Sequence, residues 1–257
     1  MPLSVRSSTT PWRASKAFRA DPAARTRTGS WWLAPSIEDR LPAQVRGSGP
    51  WRMFHVKHEA WGRWRNLLGR EIDAATAERL VAYERLLLEK ALPLGMIGRA
   101  DRQHLFERHI VDSLRAMPLL GPAPMQVVDI GSGAGLPGIP LAVARPDLSF
   151  CLTELRRRRV AFLELAVDSL QLRNVRVFAG KVEDLAGPFD VCLSRAFAEP
   201  DRAWAIAESL LSPGGKLLFW AGRSFDVTSG TPGGARISVS TAPELAEAGP
   251  VVIMARQ

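Results

Sequence analysis

Residues 129–138 read Asp-Ile-Gly-Ser-Gly-Ala-Gly-Leu-Pro-Gly, between one buried apolar run and the next. Glycines at this density let a backbone pass through positive φ and approach a ligand closely. A formal G-x-G-x-x-G match exists at Gly133, Gly135 and Gly138, but it begins two residues too late for a dinucleotide fold, whose first glycine ends the strand. Read from Gly131 the pattern is G-x-G-x-G, with Asp129 just before it.

That register suits S-adenosylmethionine better than NAD. A carboxylate at Asp129 can hold the methionine ammonium, and no pyrophosphate has to be seated. Glu154 stands 23 residues after Gly131, at the end of the second strand, where an acidic side chain can accept both ribose hydroxyls. Val182-Glu183-Asp184 follows the third strand and can frame an adenine, although Asp184 serves equally well as a helix N-cap. Arg195, after the fourth strand, reads as a cofactor or substrate contact, or as a salt bridge. Arg108 and His109 can meet phosphate or brace the glycine loop, and the position of His109 on a buried helix face favours a structural imidazole. Arg156 to Arg159 open a helix at the end where its dipole disfavours cations, so RNA phosphate is one account of them and a solvated charged face the other.

The elements that must position these residues follow from periodicity. Asp73 caps a helix on which Leu80, Tyr83, Leu87 and Leu88 recur at helical spacing, ending at Pro93 and Gly95. A second helix is predicted from about Arg102 to Met117, with Leu105, Phe106, His109, Ile110, Ser113 and Leu114 on its buried side. Strands are predicted at Gln126–Ile130, Ser149–Glu154, Val175–Ala179, Val191–Ser194 and Lys216–Trp220. Helices are predicted between them at Pro140–Ala144, Arg157–Leu170 and Asp201–Leu211. Arg236–Val239 and Val251–Ala255 close the edge. Alternation of this kind predicts an α/β fold with a doubly wound, mostly parallel Rossmann-like sheet. The expected division is a basic extension over 1–52, a small helical cap over 53–121 and a ligand-binding α/β domain over 122–257.

Composition narrows the setting. With 257 residues the chain can bury a sizeable core, and no stretch approaches the roughly 20 apolar residues of a membrane span. Cys151 and Cys192 lie in apolar runs and read as reduced, buried thiols. The net charge of +8 is lopsided, because residues 1–52 carry +6 and the other 205 residues only +2. The extension is rich in Ser, Pro and Arg, with Trp12, Trp31, Trp32 and Trp51 at no regular period. A tail without a core is the first reading of it; an RNA-holding arm or a transit segment are the others. Met53-Phe-His-Val-Lys-His58 back-translates to a DNA sequence that is its own reverse complement. It resembles a chromosome-partitioning centromere element, which puts the expected start at Met53. His55 and His58 lack a third ligand cluster, and no metal site is expected.

Arg108-His109-Ile-Val-Asp112-Ser113-Leu114, the glycine block with its Leu-Pro-Gly ending, Arg158-Arg159-Val160-Ala161-Phe162-Leu163 and Ser194-Arg195-Ala196 together resemble the RsmG (GidB) family of 16S rRNA guanine-N7 methyltransferases. The similarity spans roughly residues 75–222. It implies a class I methyltransferase fold, S-adenosylmethionine as cofactor, and Gly131, Leu136, Val182, Glu183 and Arg195 at the family's cofactor-contact positions. It also implies 16S rRNA or the small ribosomal subunit as partner; by charge and position Arg108, His109, Arg156, Arg157 and Arg223 are the candidate RNA contacts, and a cytoplasmic monomer is expected. The chain departs from the family pattern at Gly95-Met96-Ile97, where Asn-Leu-Thr is frequent, and at Ala221-Gly222, where Lys-Gly is frequent. Arg223 is the candidate substitute for that lysine. A small-molecule methyltransferase and a non-catalytic RNA-binding module are the alternatives; activity on free metabolites would support the first, and failure to bind the cofactor the second.

Overall fold

The computed structural model describes residues 61–226 and 232–256. The expectations for residues 1–52, for the start at Met53 and for His55 and His58 lie outside them.

The described chain opens with a short helical segment at Trp61–Leu68 and then helix α1, Ala74–Leu86, which a π-helical turn extends over Leu87–Ala91. Asp73 caps it as its sequence predicts, accepting from the Thr76 amide at 2.7 Å, and this bond holds the Asp73 carboxyl below its ordinary range. The second predicted helix is broken. A 3₁₀ turn at Arg99–Gln103 precedes α2, which is π-helical over Phe106–Val111 and α-helical over Asp112–Leu114. Apolar spacing of three and four residues cannot tell these helix types apart. Nor is α2 one-sided, since every residue from Ile110 to Met117 is buried, Asp112 and Arg115 included.

The α/β part follows as β1 (Gln126–Ile130), α3 (Gly138–Ala144), β2 (Ser149–Glu154), α4 (Arg157–Ser169), β3 (Val175–Ala179), β4 (Phe189–Arg195), α5 (Pro200–Leu210), β5 (Leu211–Trp220), β6 (Ala235–Ser240) and β7 (Val251–Arg256). The strand order is β3-β2-β1-β4-β5-β7-β6. The first five strands pair in parallel, and β7 runs antiparallel between β5 and β6. Strand β5 starts at Leu211 rather than Lys216, because Leu211 pairs with Phe189 before the Pro213-Gly214-Gly215 turn and Lys216 resumes the ladder opposite Val191.

Alternate residues of the central strands divide between two cores. Val127, Leu152, Val191 and Leu193 pack with the cap and with α3 and α4, whereas Val128, Ile130, Cys192 and Leu217 pack with Trp204 and Ala207 of α5. Cys151 and Cys192 are buried free thiols. No helix among the described residues is long and apolar enough to cross a membrane.

Candidate cofactor and substrate site

The strand order reverses between β1 and β4, and the crevice at the carboxyl ends of strands flanking such a switch point is where open α/β sheets bind ligands. The glycine loop leaves β1 on one side of it and Arg195-Ala196 leaves β4 on the other. Asp129 pairs with Leu152 and with Leu193, so Gly131, Glu154 and Arg195 emerge at one level of the sheet.

Thr153 of β2 braces the loop, its Oγ1 accepting from the Gly131 amide at 3.0 Å and its carbonyl from the Ser132 amide at 2.8 Å. Gly131, Gly133 and Gly135 all have positive φ, but their surroundings differ. A side chain at Gly135 would meet Ile139 at 2.4 Å and the Tyr83 hydroxyl at 3.1 Å, so that glycine serves internal packing. A Cβ at Gly133 would find nothing nearer than Arg159 Nη1 at 3.7 Å, which leaves the middle of the loop open to a ligand. At Gly131 it would strike the Phe197 ring. Leu136 is half-buried against the cap-side core.

Glu154 is brought to this loop. Its Oε2 accepts from the Gly133 amide at 3.2 Å and lies 3.6 Å from Arg159 Nη1, while Oε1 accepts from the Leu155 and Arg156 amides at 2.9 Å. Val182 and Glu183 form a 3₁₀ turn after β3; the Val182 side chain is buried in the core, so the exposed Glu183 and the turn backbone are what this segment offers a ligand.

The Asp129 side chain is 1% exposed and its Oδ2 accepts from the Gly138 amide at 3.1 Å, so the carboxyl fixes the far end of the glycine loop. Burial pushes its pKa up to about 7.

Arg195 points toward the cap. Its Nη2 donates to the Arg108 carbonyl at 2.8 Å, lies 3.1 Å from His109 Nδ1 and sits 3.2 Å from Asp112 Oδ2. Asp112 Oδ1 is in turn 2.8 Å from Arg115 Nε, and the Asp112 carbonyl accepts from Trp220 Nε1 at 3.0 Å. Because a guanidinium can only donate, Nδ1 of His109 is the acceptor and Nε2 carries the proton, 3.3 Å from Asp101 Oδ2. Burial, with the Arg195 charge, drives the His109 pKa down to about 4. His109 is thus a neutral imidazole held by Arg195 and Asp101, which accords with the structural reading that its place on a buried helix face favoured.

Of the other RNA candidates, Arg108 and Arg223 meet at one cleft of about 480 Å³, beneath the cap and beside Arg195 and Trp220. Arg156 and Arg157 lie exposed at the start of α4, past β2 and away from that cleft. A second open cleft, of about 720 Å³, adjoins Glu199, Asp201 and Phe225 at the ends of β4 and β5. No group of three or more His, Cys, Asp or Glu side chains among the described residues is placed to hold a metal ion.

Sequence reasoning missed two functional supports. Tyr83 of α1, fully buried, donates to the Ala134 carbonyl at 2.6 Å and so ties the cap to the glycine loop. As the chain's single tyrosine, set among leucines, it carried a faint signal. Phe197, against Gly131, carried none.

The solved structure of a mutant of MtNAS in complex with S-adenosylmethionine shares this fold at a TM-score of 0.50 and 18% identity, over 70% of this chain and 73% of that one. Among curated proteins, the Ribosomal RNA small subunit methyltransferase G of Acidothermus cellulolyticus is 44% identical over 54% of this chain and 62% of its own. That of Mycobacterium leprae is 43% identical over 53% and 57%. The chain thus spans about three fifths of the length of these relatives. That of Granulibacter bethesdensis is 38% identical over 67% of this chain and 82% of its own. The family model for GidB, rRNA small subunit methyltransferase G, matches residues 76–227. The match takes in the cap helices, the glycine loop, Glu154 and Arg195 together, and the chain belongs to the GidB family.

Proposed function

We propose that this chain methylates N7 of a guanine in 16S rRNA, with S-adenosylmethionine as donor, as a cytoplasmic monomer acting on the small ribosomal subunit or its precursor. The observation that carries the reading is the meeting of the open glycine at position 133 with the Glu154 carboxylate at the β1–β4 switch point, within a chain of this family.

The residues present fit the cofactor. The backbone at Gly133 is open where a ligand must lie close, Glu154 offers a carboxylate for a ribose diol, and the Val182-Glu183 turn borders the same edge. When bound, the cofactor supplies an electrophilic sulfonium methyl group.

Guanine N7 carries a lone pair and no proton, so the protein has no proton to remove. Its task is orientation, which can be worth several kcal/mol. A neutral His109 and a buried Asp129 accord with that chemistry, since neither presents a solvent-facing base. Arg195 acts by fixing the cap against the end of β4, and Arg108 with Arg223 receives RNA phosphate beside it. Arg156 and Arg157 add a more distant basic surface.

Labelled methyl transfer to small subunits from cells lacking this gene, followed by mapping of the modified base, tests the reading. N7-methylguanine in 16S rRNA is the expected product. Transfer to a small molecule alone, or no cofactor binding, overturns it.

A further inference from the structure

We infer that Glu247 occupies the RNA-phosphate position between Arg108 and Arg223, and must be displaced for the substrate backbone to bind. The inference rests on the rRNA reading above and adds a residue that sets how strongly the cleft holds a polyanion.

Three separate elements meet at this point. Arg108 comes from α2, Arg223 follows β5, and Glu247 belongs to the segment linking β6 to β7. Glu247 Oε2 lies 3.0 Å from Arg223 Nη1 and 3.8 Å from Arg108 Nη2, so one carboxylate is shared by two guanidiniums across the cleft. Arg108 is oriented by a second partner, Asp101, at 2.6 Å.

The segment that carries Glu247 is held firmly at its base. Arg115 Nη2 donates to the Gly249 carbonyl at 2.6 Å, the Ala221 amide donates to the Pro250 carbonyl at 3.0 Å, and a side chain at Gly249 would overlap Ala221 and Gly222. Ala242 and Leu245 are buried and anchor the segment, whereas Glu244 between them and Glu247 after them are exposed. Glu247 is therefore delivered to the two arginines by a fixed scaffold, while its own side chain stays about half exposed and can swing away.

The chemistry explains why an acid belongs there. With Asp101 paired to Arg108, the Glu247 carboxylate supplies the second negative charge for the two arginines until a phosphate, with its own oxygens for bidentate donation, replaces it. An exposed ion pair is weak, so displacement costs little against a ribosomal particle but discriminates against ligands that offer a single weak anionic contact. Glu247 is a specificity residue in this sense.

The test compares Glu247→Gln with Glu244→Gln, which removes the same charge from an exposed position on the same segment. Binding of full-length protein to small subunits and to a 16S rRNA fragment is measured across a salt series. Glu247→Gln should tighten binding by up to about fivefold and steepen the salt dependence by about one unit of slope. Glu244→Gln should do neither, and the gain should vanish in the Glu247→Gln, Arg223→Ala double variant. Equal gains in both single variants, a gain that survives loss of Arg223, or no gain in a protein that still binds RNA would each overturn the proposal. Failure of the unaltered protein to bind either RNA would instead overturn the rRNA reading on which it rests.

Discussion

The Tyr83 hydroxyl donates to the Ala134 carbonyl at 2.6 Å, joining a helix of the cap to the middle of the glycine loop across 51 residues of chain. Tyr83 is fully buried, and burial raises its pKa well above the ordinary value, so it remains a donor at all working pH values. Tyr83→Phe leaves the buried carbonyl unpaired and should cost about 1–3 kcal/mol of stability. Calorimetry should show a larger loss of S-adenosylmethionine affinity than for a leucine-to-valine change elsewhere on α1. Unchanged affinity would mean that the cap does not hold the loop.

The glycines of the loop should separate by experiment. Gly133→Val should fold with a loss of about 1–2 kcal/mol, the cost of left-handed backbone for a residue with a side chain, and should abolish cofactor binding. Gly135→Val should destabilise considerably more, because its side chain meets Ile139 and Tyr83. Thermal unfolding and cofactor titration of both variants check the pair; a folded Gly133→Val that binds normally would remove position 133 from the ligand site.

Arg195 should act through structure before chemistry. Arg195→Ala removes the partner of a buried Asp112 that keeps only Arg115, and a loss of about 3 kcal/mol is expected for a broken buried pair. Because the Arg195 charge lowers the His109 pKa, the same substitution should raise that value from about 4 toward its ordinary 6.5. An NMR titration of the His109 ring reads this directly, and an unmoved pKa would show that the two groups are not coupled in solution.

Asp129 and His109 should impose opposite pH slopes on stability. Between about pH 4 and 6.5 the folded protein keeps the Asp129 proton that the unfolded chain has released, so this group makes stability fall as pH rises. Over the same window the unfolded chain binds a His109 proton that the folded protein excludes, so this group makes stability rise with pH. Each slope approaches about 1.4 kcal/mol per pH unit, and in the unaltered protein they offset each other. Relative to it, Asp129→Asn should gain stability with rising pH and His109→Gln should lose it. Urea unfolding at several pH values across the window checks this, and parallel profiles for all three proteins would refute the assigned shifts.

Local physics in the sequence was sufficient for the sheet and for the position of the glycine loop. Strands β1, β2 and β3 occupy the residues predicted for them, β1 and β2 because a buried parallel strand is a short, mostly apolar run ended by turn residues, and the edge strand β3 because apolar residues still dominate Val175–Ala179. Asp73 and its cap were equally readable, since that bond spans three residues. What a residue's side chain faces was not readable in the same way. Asp129 looks like a ligand group by type and spacing, yet it turns inward to the Gly138 amide; the buried helix face already favoured a structural His109, but not its enclosure by Arg195 and Asp101. The contacts of Tyr83 with Ala134, Arg195 with Asp112 and Glu247 with Arg223 join residues 51, 83 and 24 positions apart. Such pairs exist only once the sheet order has brought the cap, the ends of β4 and β5 and the β6–β7 link together, and no periodicity along the chain encodes that meeting.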